Sequence, residues 1–282
     1  MTFGNSGQEP VMNDPHVFTH EAMKTTFTFR IASENSKLAR DVAHASISLL
    51  DEIENTLSRY IEGSDVWLIN HMQAGETRFL SERCYDCLRL ALEAYVQTDG
   101  LFDITLGRQI EHQKNAVIGP TPALQGQLMV DPDRPAIHCT EAGREIDLGG
   151  IGKGYALDEI QKLMQEWGIE SALLSAGGST QIAFGPNAWS IELQGDESQL
   201  IIELQDEALS ASGTGIQGCH IISPRDDTPN YQYKRIWRVE DTATFADAWS
   251  TAIMLMDAPE IQSVSAKGAA IYAEANGKIS LV

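Results

Sequence analysis

The sequence predicts an α+β fold, and three observations predict it. Short alternating runs separated by Gly- and Asp-containing turns crowd residues 171–211, the pattern of antiparallel hairpins. Apolar residues recur at helical spacing in separate stretches, after residue 36, after residue 81 and again near the C-terminus. These helical and strand runs do not alternate one for one, so a doubly wound parallel sheet is disfavoured. With 43% of 282 residues hydrophobic, the chain can bury a large core as one domain or two intertwined halves.

The elements follow in chain order. Residues 1–20 are polar and rich in Gly, Pro and Asn, and read as a flexible tail ahead of a single domain over 21–282. Lys24–Ile31 alternates and reads as a first strand. Ser36 opens a helical run in which Leu38, Val42, Ala45, Leu49, Ile53 and Leu57 share a face. Val66–Asn70 starts a short helix, and Ser81 caps another that Thr98-Asp99-Gly100 stops. Gly107–Ala142 carries Gly119-Pro120, Pro122, Pro132 and Pro135 and predicts irregular chain. A helix follows at Tyr155–Trp167. Strands are expected at Ser171–Ser175, Thr180–Phe184, Trp189–Leu193, Leu200–Leu204, Ala208–Ala211, His220–Ile222 and Tyr233–Val239. A helix over Phe245–Met256 and strands at Ala269–Ala273 and Lys278–Leu281 close the chain.

Charge excludes several functions. Forty acidic residues against 20 basic give a net charge of -20. Such a surface repels nucleic acid and anionic membranes. No basic n-region, apolar h-region or membrane-length apolar run occurs, so the expected location is cytoplasmic, with a trimmed periplasmic form as the alternative. Cys84 and Cys87 form a CxxC. With Leu88, Ala91, Leu92 and Tyr95 they fall on one apolar helix face, so buried thiols are expected rather than a zinc site.

Three glycine-bearing turns carry the chemistry. Asp147–Asp158 (DLGGIGKGYALD) places glycines and Lys153 at a helix start, where backbone N–H groups and a cation favour an anion. It is neither a Walker A loop nor a dinucleotide fingerprint, and a plain strand-to-helix turn with an exposed lysine explains it equally well. Gly177-Gly178 and Ser212-Gly213 follow apparent strands, and the three turns together suggest one ligand cleft. Asp247 and Thr251 are four residues apart on one helix face, a hard-oxygen pair suited to Mg²⁺. Helix capping and a hydroxyl-to-carbonyl bond explain the same spacing. His220 is a candidate general base and Arg225 a candidate anion contact; a buried histidine and a surface ion pair are the alternatives.

In order along the chain, Ile53–Asn70, Gly100–Gly107, Asp147–Asp158, Leu173–Ser179, Ser210–Gly213, His220–Arg225 and Ala246–Ala252 resemble the motifs of the FAD:protein FMN transferases, the ApbE family. The resemblance implies two intertwined halves with largely antiparallel sheets and a flavin cleft between them. It implies a Mg²⁺-dependent transfer of FMN from FAD to a threonine hydroxyl of an acceptor flavoprotein, releasing AMP. Asp247, Thr251 and the Gly152 carbonyl match the metal positions. His220 matches the residue that activates the acceptor hydroxyl, with Lys153 and Asp247 beside the phosphates. Arg59, Tyr60, Asn70, Asp103, Gly150, Lys153, Gly177, Gly178, Ser212, Gly213 and Arg225 are the expected nucleotide contacts. Ser179 and Ser223 stand where the family usually has Asp. That departure motivates one alternative, a flavin-binding protein without transfer; an FAD pyrophosphatase giving FMN and AMP, with water in place of the acceptor threonine, is the other.

Overall fold

A computed structural model describes residues 14–214, 221–226, 230–268 and 270–282. The chain opens with a hairpin, β1 (His16–Ala22) and β2 (Thr25–Ala32), paired from His16↔Ile31 to Ala22↔Thr25. The flexible tail expected over residues 1–20 is therefore corrected: its last residues already belong to β1. The alternation HVFTHEA was legible there and was outweighed by the polar composition upstream. The hairpin turn is Met23-Lys24, with φ of +50° and +60°, the mirror-image geometry that matches strand twist.

Helix α1 (Ser36–Leu57) follows, capped by the Asn35 side chain, which accepts from Lys37 N and Leu38 N. Its buried face is Ala39, Val42, Ala43, Ser46, Leu50, Ile53 and Leu57. Ser64 caps the short α2 (Asp65–Asn70), and Ser81 caps α3 (Glu82–Gln97). On α3 the face holding Cys84, Cys87, Leu88 and Ala91 is buried, while Leu92 and Tyr95 are exposed. The two thiols are free, and burial pushes both well above the usual thiol range, so they stay protonated.

The region expected to be irregular holds three short elements. They are α4 (Gly107–Lys114), β4 (Gln127–Val130) and β5 (Ala136–Glu141). With β3 (Thr77–Phe79) the two strands form a small sheet ordered β3-β5-β4. The prolines lie between these elements, not in them, so they limit length without abolishing structure.

The second half of the chain supplies α5 (Gly152–Glu166), β6 (Ser171–Ala176), β7 (Thr180–Phe184), β8 (Trp189–Gln194), β9 (Gln199–Leu204) and β10 (Glu207–Gly213). Then come β11 (Arg235–Glu240), α6 (Ala243–Ile253), α7 (Ala258–Ser265), β12 (Ile271–Ala275) and β13 (Lys278–Leu281). Helix α7 was not predicted, although Asp257 and Glu260 form a capping box around Pro259. Residues 221–222 are not a strand, and His220 lies outside the described residues.

Eight strands form one antiparallel sheet in the order β1-β2-β6-β7-β10-β11-β12-β13. The N-terminal hairpin thus pairs with strands of the second half, which interlaces the halves. Helices cover one face over a core that includes Phe27, Phe29, Leu50, Ile151, Leu157 and Phe184. The β8–β9 hairpin covers the other, packing Trp189, Ile191, Leu193 and Leu204 on Leu173, Leu209 and Trp237. Among the described residues no helix is long and apolar enough to cross a membrane.

Helices α5 and α6 cross at Gly154. A Cβ there would stand 2.1 Å from the Ala243 carbonyl oxygen. Gly154→Ala is therefore expected to cost about 1–3 kcal/mol in chemical denaturation. Gly178 has open space around its Cβ position. Gly178→Ala should leave stability within about 0.5 kcal/mol. Equal stability of the two variants would contradict this close contact.

Candidate active site

One cleft of about 540 Å³ runs between the halves, a size typical of small-molecule sites. Its walls come from the β1–β2 turn, the end of α1, residues 101–114, the segment before α5, the start of α5, the end of β10 and one face of α6.

The buried carboxylate Asp247 organises one end. Helix α6 lays it over β7 and β10, where the hydroxyls of Ser210 and Thr180 reach Oδ1 at 3.1 and 3.3 Å. On its other side Oδ2 accepts from the Gly154 N–H at 3.3 Å and lies 3.4 Å from Lys153 Nζ. These are long contacts for a charge-assisted pair, so the carboxylate is surrounded by donors without being locked to any one of them. Thr251 Oγ1 donates to the Asp247 carbonyl at 3.3 Å and stands 3.4 Å from Ser212 Oγ, which meets Ser250 Oγ at 2.8 Å. A Cβ on Gly150 would sit 3.4 Å from Thr251 Oγ1 and 3.1 Å from the Phe102 ring. Glycine there keeps the threonine hydroxyl open to the cleft.

Asp247, Thr251 and Gly152 all line this cleft. Among the described residues no cluster of three or more His, Cys, Asp or Glu suits a metal. A cation here would therefore take one carboxylate, a hydroxyl and backbone oxygens. That all-oxygen, low-charge donor set fits Mg²⁺, which keeps waters and substrate phosphate among its ligands.

The segment leading into α5 is held by two side chains from the first half. Asn70 brackets Ile146, donating to its carbonyl at 2.9 Å and accepting from its N–H at 2.7 Å. Arg59 donates to Gly107 O at 2.8 Å and to Glu145 at 2.6 Å, and reaches Asp147 at 3.4 Å. Gly107 admits it, because a Cβ would stand 2.6 Å from Arg59 Nη1. Arg59 borders the cleft with its guanidinium engaged, and Asn70 is not part of the wall, so both position the chain that carries Asp147 to Lys153.

Of the other expected nucleotide contacts, Tyr60, Asp103, Gly150, Lys153, Ser212 and Gly213 border the cleft. The Tyr60 phenol bonds Glu111 at 3.2 Å. Its pKa is pushed up to about 12 by burial and by Asp147 and Glu111, so it stays neutral. Asp103 Oδ1 accepts from Thr105 N at 2.7 Å and shapes its turn.

Besides Asn70, three expected contacts do not reach the cleft. Arg225 pairs with Glu260 at 2.6 Å and Asp99 at 3.6 Å, outside the wall, so the surface ion-pair alternative holds for it. Gly177 and Gly178 are also outside it. Gly177, at φ +60°, packs the β6–β7 turn on Thr25, and the wall is formed by Ser179 next to them. His220 lies outside the described residues, although Ile221 and Ile222 line the cleft. Lys24, Lys114 and Asp147 also border it and were not predicted. Asp147 was visible at the head of the glycine motif, whereas Lys24 and Lys114 carry no motif signal.

The site is thus a cleft in an α+β protein that opposes a lysine, an all-oxygen donor set and a half-buried tyrosine, an arrangement suited to a nucleotide. The model of the ApbE family matches residues 23–273, and the chain belongs to that family. It is 25% identical to an FAD:protein FMN transferase of Salmonella typhimurium over 289 aligned positions, covering 88% of this chain and 80% of that protein. It is 24% identical to the Escherichia coli K12 protein of the same name, covering 91% and 83%. The flavinyl transferase ApbE of Pseudomonas stutzeri, in its apo form, superposes with a TM-score of 0.82 at 20% identity, covering 98% of this chain and 96% of that one. The flavin transferase ApbE of Vibrio cholerae gives 0.79 at 19% identity, covering 95% and 96%. The structural likenesses establish the α+β fold.

Helix α6 reaches this geometry through a carboxylate of α5. Asp158 accepts from the Ala243 and Thr244 N–H groups at 2.8 and 2.9 Å and from the Thr244 hydroxyl. Asp158→Ala would strip three buried donors of their partner. The expected loss is about 1–3 kcal/mol for each donor left unsatisfied, measured by denaturant titration. A wild-type midpoint would show that the cap is dispensable.

Proposed function

We propose that this protein is a Mg²⁺-dependent flavin transferase that moves FMN from FAD onto a threonine hydroxyl of an acceptor protein and releases AMP. The observation that carries this reading is the meeting of Lys153, Asp247, Thr251 and Gly152 in one cleft of a chain belonging to the ApbE family over 23–273. The relatives named FAD:protein FMN transferase supply the substrate class.

The reaction forms one bond from the acceptor oxygen to the FMN phosphorus. It breaks the bond from that phosphorus to the AMP oxygen, and the hydroxyl proton leaves to a base. Such a step needs positioning and charge neutralisation more than covalent help from the protein. Mg²⁺, when bound by Asp247, Thr251 and the Gly152 carbonyl, would supply part of that neutralisation. Lys153 brings a fixed positive charge from the start of α5, beside the Asp247 carboxylate. Gly150 keeps the backbone low so that phosphate oxygens can approach Thr251 and the α5 start. Ser212 and Gly213 form the facing wall. In this reading His220 receives the acceptor proton, and its neighbours Ile221 and Ile222 border the cleft. Ser179 stands in the wall without a carboxylate, which favours a second reading, flavin binding without transfer; a hydrolytic reading, in which water replaces the acceptor and FAD is cleaved to FMN and AMP, uses the same cleft.

The test is incubation with FAD, Mg²⁺ and a candidate acceptor flavoprotein, followed by intact-mass analysis for one added FMN. Asp247→Ala and Lys153→Met are each expected to lower the transfer rate by about 10²–10³-fold. Undiminished transfer in either variant would contradict the assigned roles. Free FMN and AMP without any labelled protein would select the hydrolytic reading.

A further inference from the structure

Four cations border the cleft: Lys24, Arg59, Lys114 and Lys153. Three of them face carboxylates. Arg59 meets Glu145 and Asp147, Lys114 lies 3.6 Å from Asp147, and Lys153 lies 3.4 Å from Asp247. Lys24 has no carboxylate partner among the described residues, in a chain that carries twice as many acidic as basic groups. Its ammonium rests instead on the Tyr60 ring, 4.1 Å from the centroid.

The position of Lys24 is imposed by the backbone. Met23 and Lys24 both hold φ in the left-handed region, at +50° and +60°, where non-glycine residues are disfavoured. The β1–β2 register keeps them there, and Glu54 Oε1 accepts from Met23 N at 2.8 Å. The hairpin therefore holds a free ammonium at the cleft rim, against the aromatic face that a flat ligand ring would use. Such strain at a ligand site is maintained by the surrounding structure.

We infer that Lys24 is a specificity-determining residue that contacts an anionic or electron-rich oxygen of the bound flavin nucleotide. This rests on the flavin reading above. A ring stacking on Tyr60 displaces the ammonium, and the released charge turns to the ligand. Lysine acts here as a point charge, so the contact needs no fixed fork geometry. Two oxygens have the required chemistry: a phosphate oxygen, and the dione edge of the isoalloxazine.

The experiment measures dissociation constants of riboflavin, ADP, FMN and FAD for the full-length protein and for Lys24→Met, Lys24→Arg and Lys24→Gly, at low and raised salt. Riboflavin carries the dione alone and ADP the phosphates alone. Lys24→Met and Lys24→Gly are expected to weaken FAD by about tenfold at low salt. The loss should appear in one of the two single-feature ligands and shrink as salt rises. Lys24→Arg should retain most of the affinity. Lys24→Gly suits the left-handed backbone, so a loss there with an unchanged melting temperature separates the charge from folding. Equal weakening of riboflavin and ADP would assign Lys24 to packing and overturn the inference. So would wild-type affinities for all four ligands in Lys24→Met and Lys24→Gly when the wild-type protein binds flavins. If the wild type bound none of the four ligands, the flavin reading and this inference would fall together.

Discussion

The site depends on one contact, the docking of the α6 N-terminus onto α5. Gly154 lets the two backbones meet, and Asp158 fills the gap with a carboxylate that accepts from two backbone N–H groups and one hydroxyl of α6. Burial raises the Asp158 pKa, and the bonds from Thr244 and Ala243 work against that rise. The consequence lies next to the crossing on α5 and one turn along α6. Lys153 precedes the crossing on α5 and Asp247 follows it on α6, so the capping contact fixes their separation. The same crossing delivers the Gly154 N–H to Asp247. Fold stability and site geometry are therefore carried by the same atoms.

A second constraint comes from the other half of the chain. The glycine-rich segment has no regular pairing of its own beyond one bridge between Leu106 and Glu145. Asn70 and Arg59 substitute side-chain bonds for a ladder and hold residues 145–147 against α4. This explains why a motif of loop residues can present ordered backbone to a ligand. It also explains the global charge. Acidic groups dominate the surface, yet the cleft gathers four cations, most of them balanced locally by carboxylates. Long-range repulsion of an anionic ligand is screened by salt, and short contacts inside the cleft decide binding.

Much of this was legible in the sequence. Gly- and Asp-containing turns located the strands from 171 to 213; alternation is strong in β8, where every second residue is exposed, whereas β6 is covered on both faces and buried throughout. The i, i+4 spacing of Asp247 and Thr251 placed two oxygens on one helix face, as found. The apolar face around Cys84 and Cys87 correctly pointed to buried thiols. Other features were illegible for physical reasons. Arg59 and Asn70 sit in motifs, but a motif does not distinguish a ligand contact from a side chain that braces the backbone. Arg225 looked like an anion contact because its partners, Asp99 and Glu260, are distant in sequence. Lys24 was hidden because its importance depends on which neighbours lack a carboxylate, a property of the fold alone.

The central claim is that one cleft binds the dinucleotide and the divalent cation together across the α5–α6 junction. A crystal structure of the protein with FAD and Mg²⁺ tests it most directly. The account predicts the cation on Asp247, Thr251 and the Gly152 carbonyl, with the diphosphate beside Lys153 and a ring of the nucleotide against Tyr60. FAD bound elsewhere, or a cation held by other residues while Asp247 stays bonded to Lys153, would contradict it.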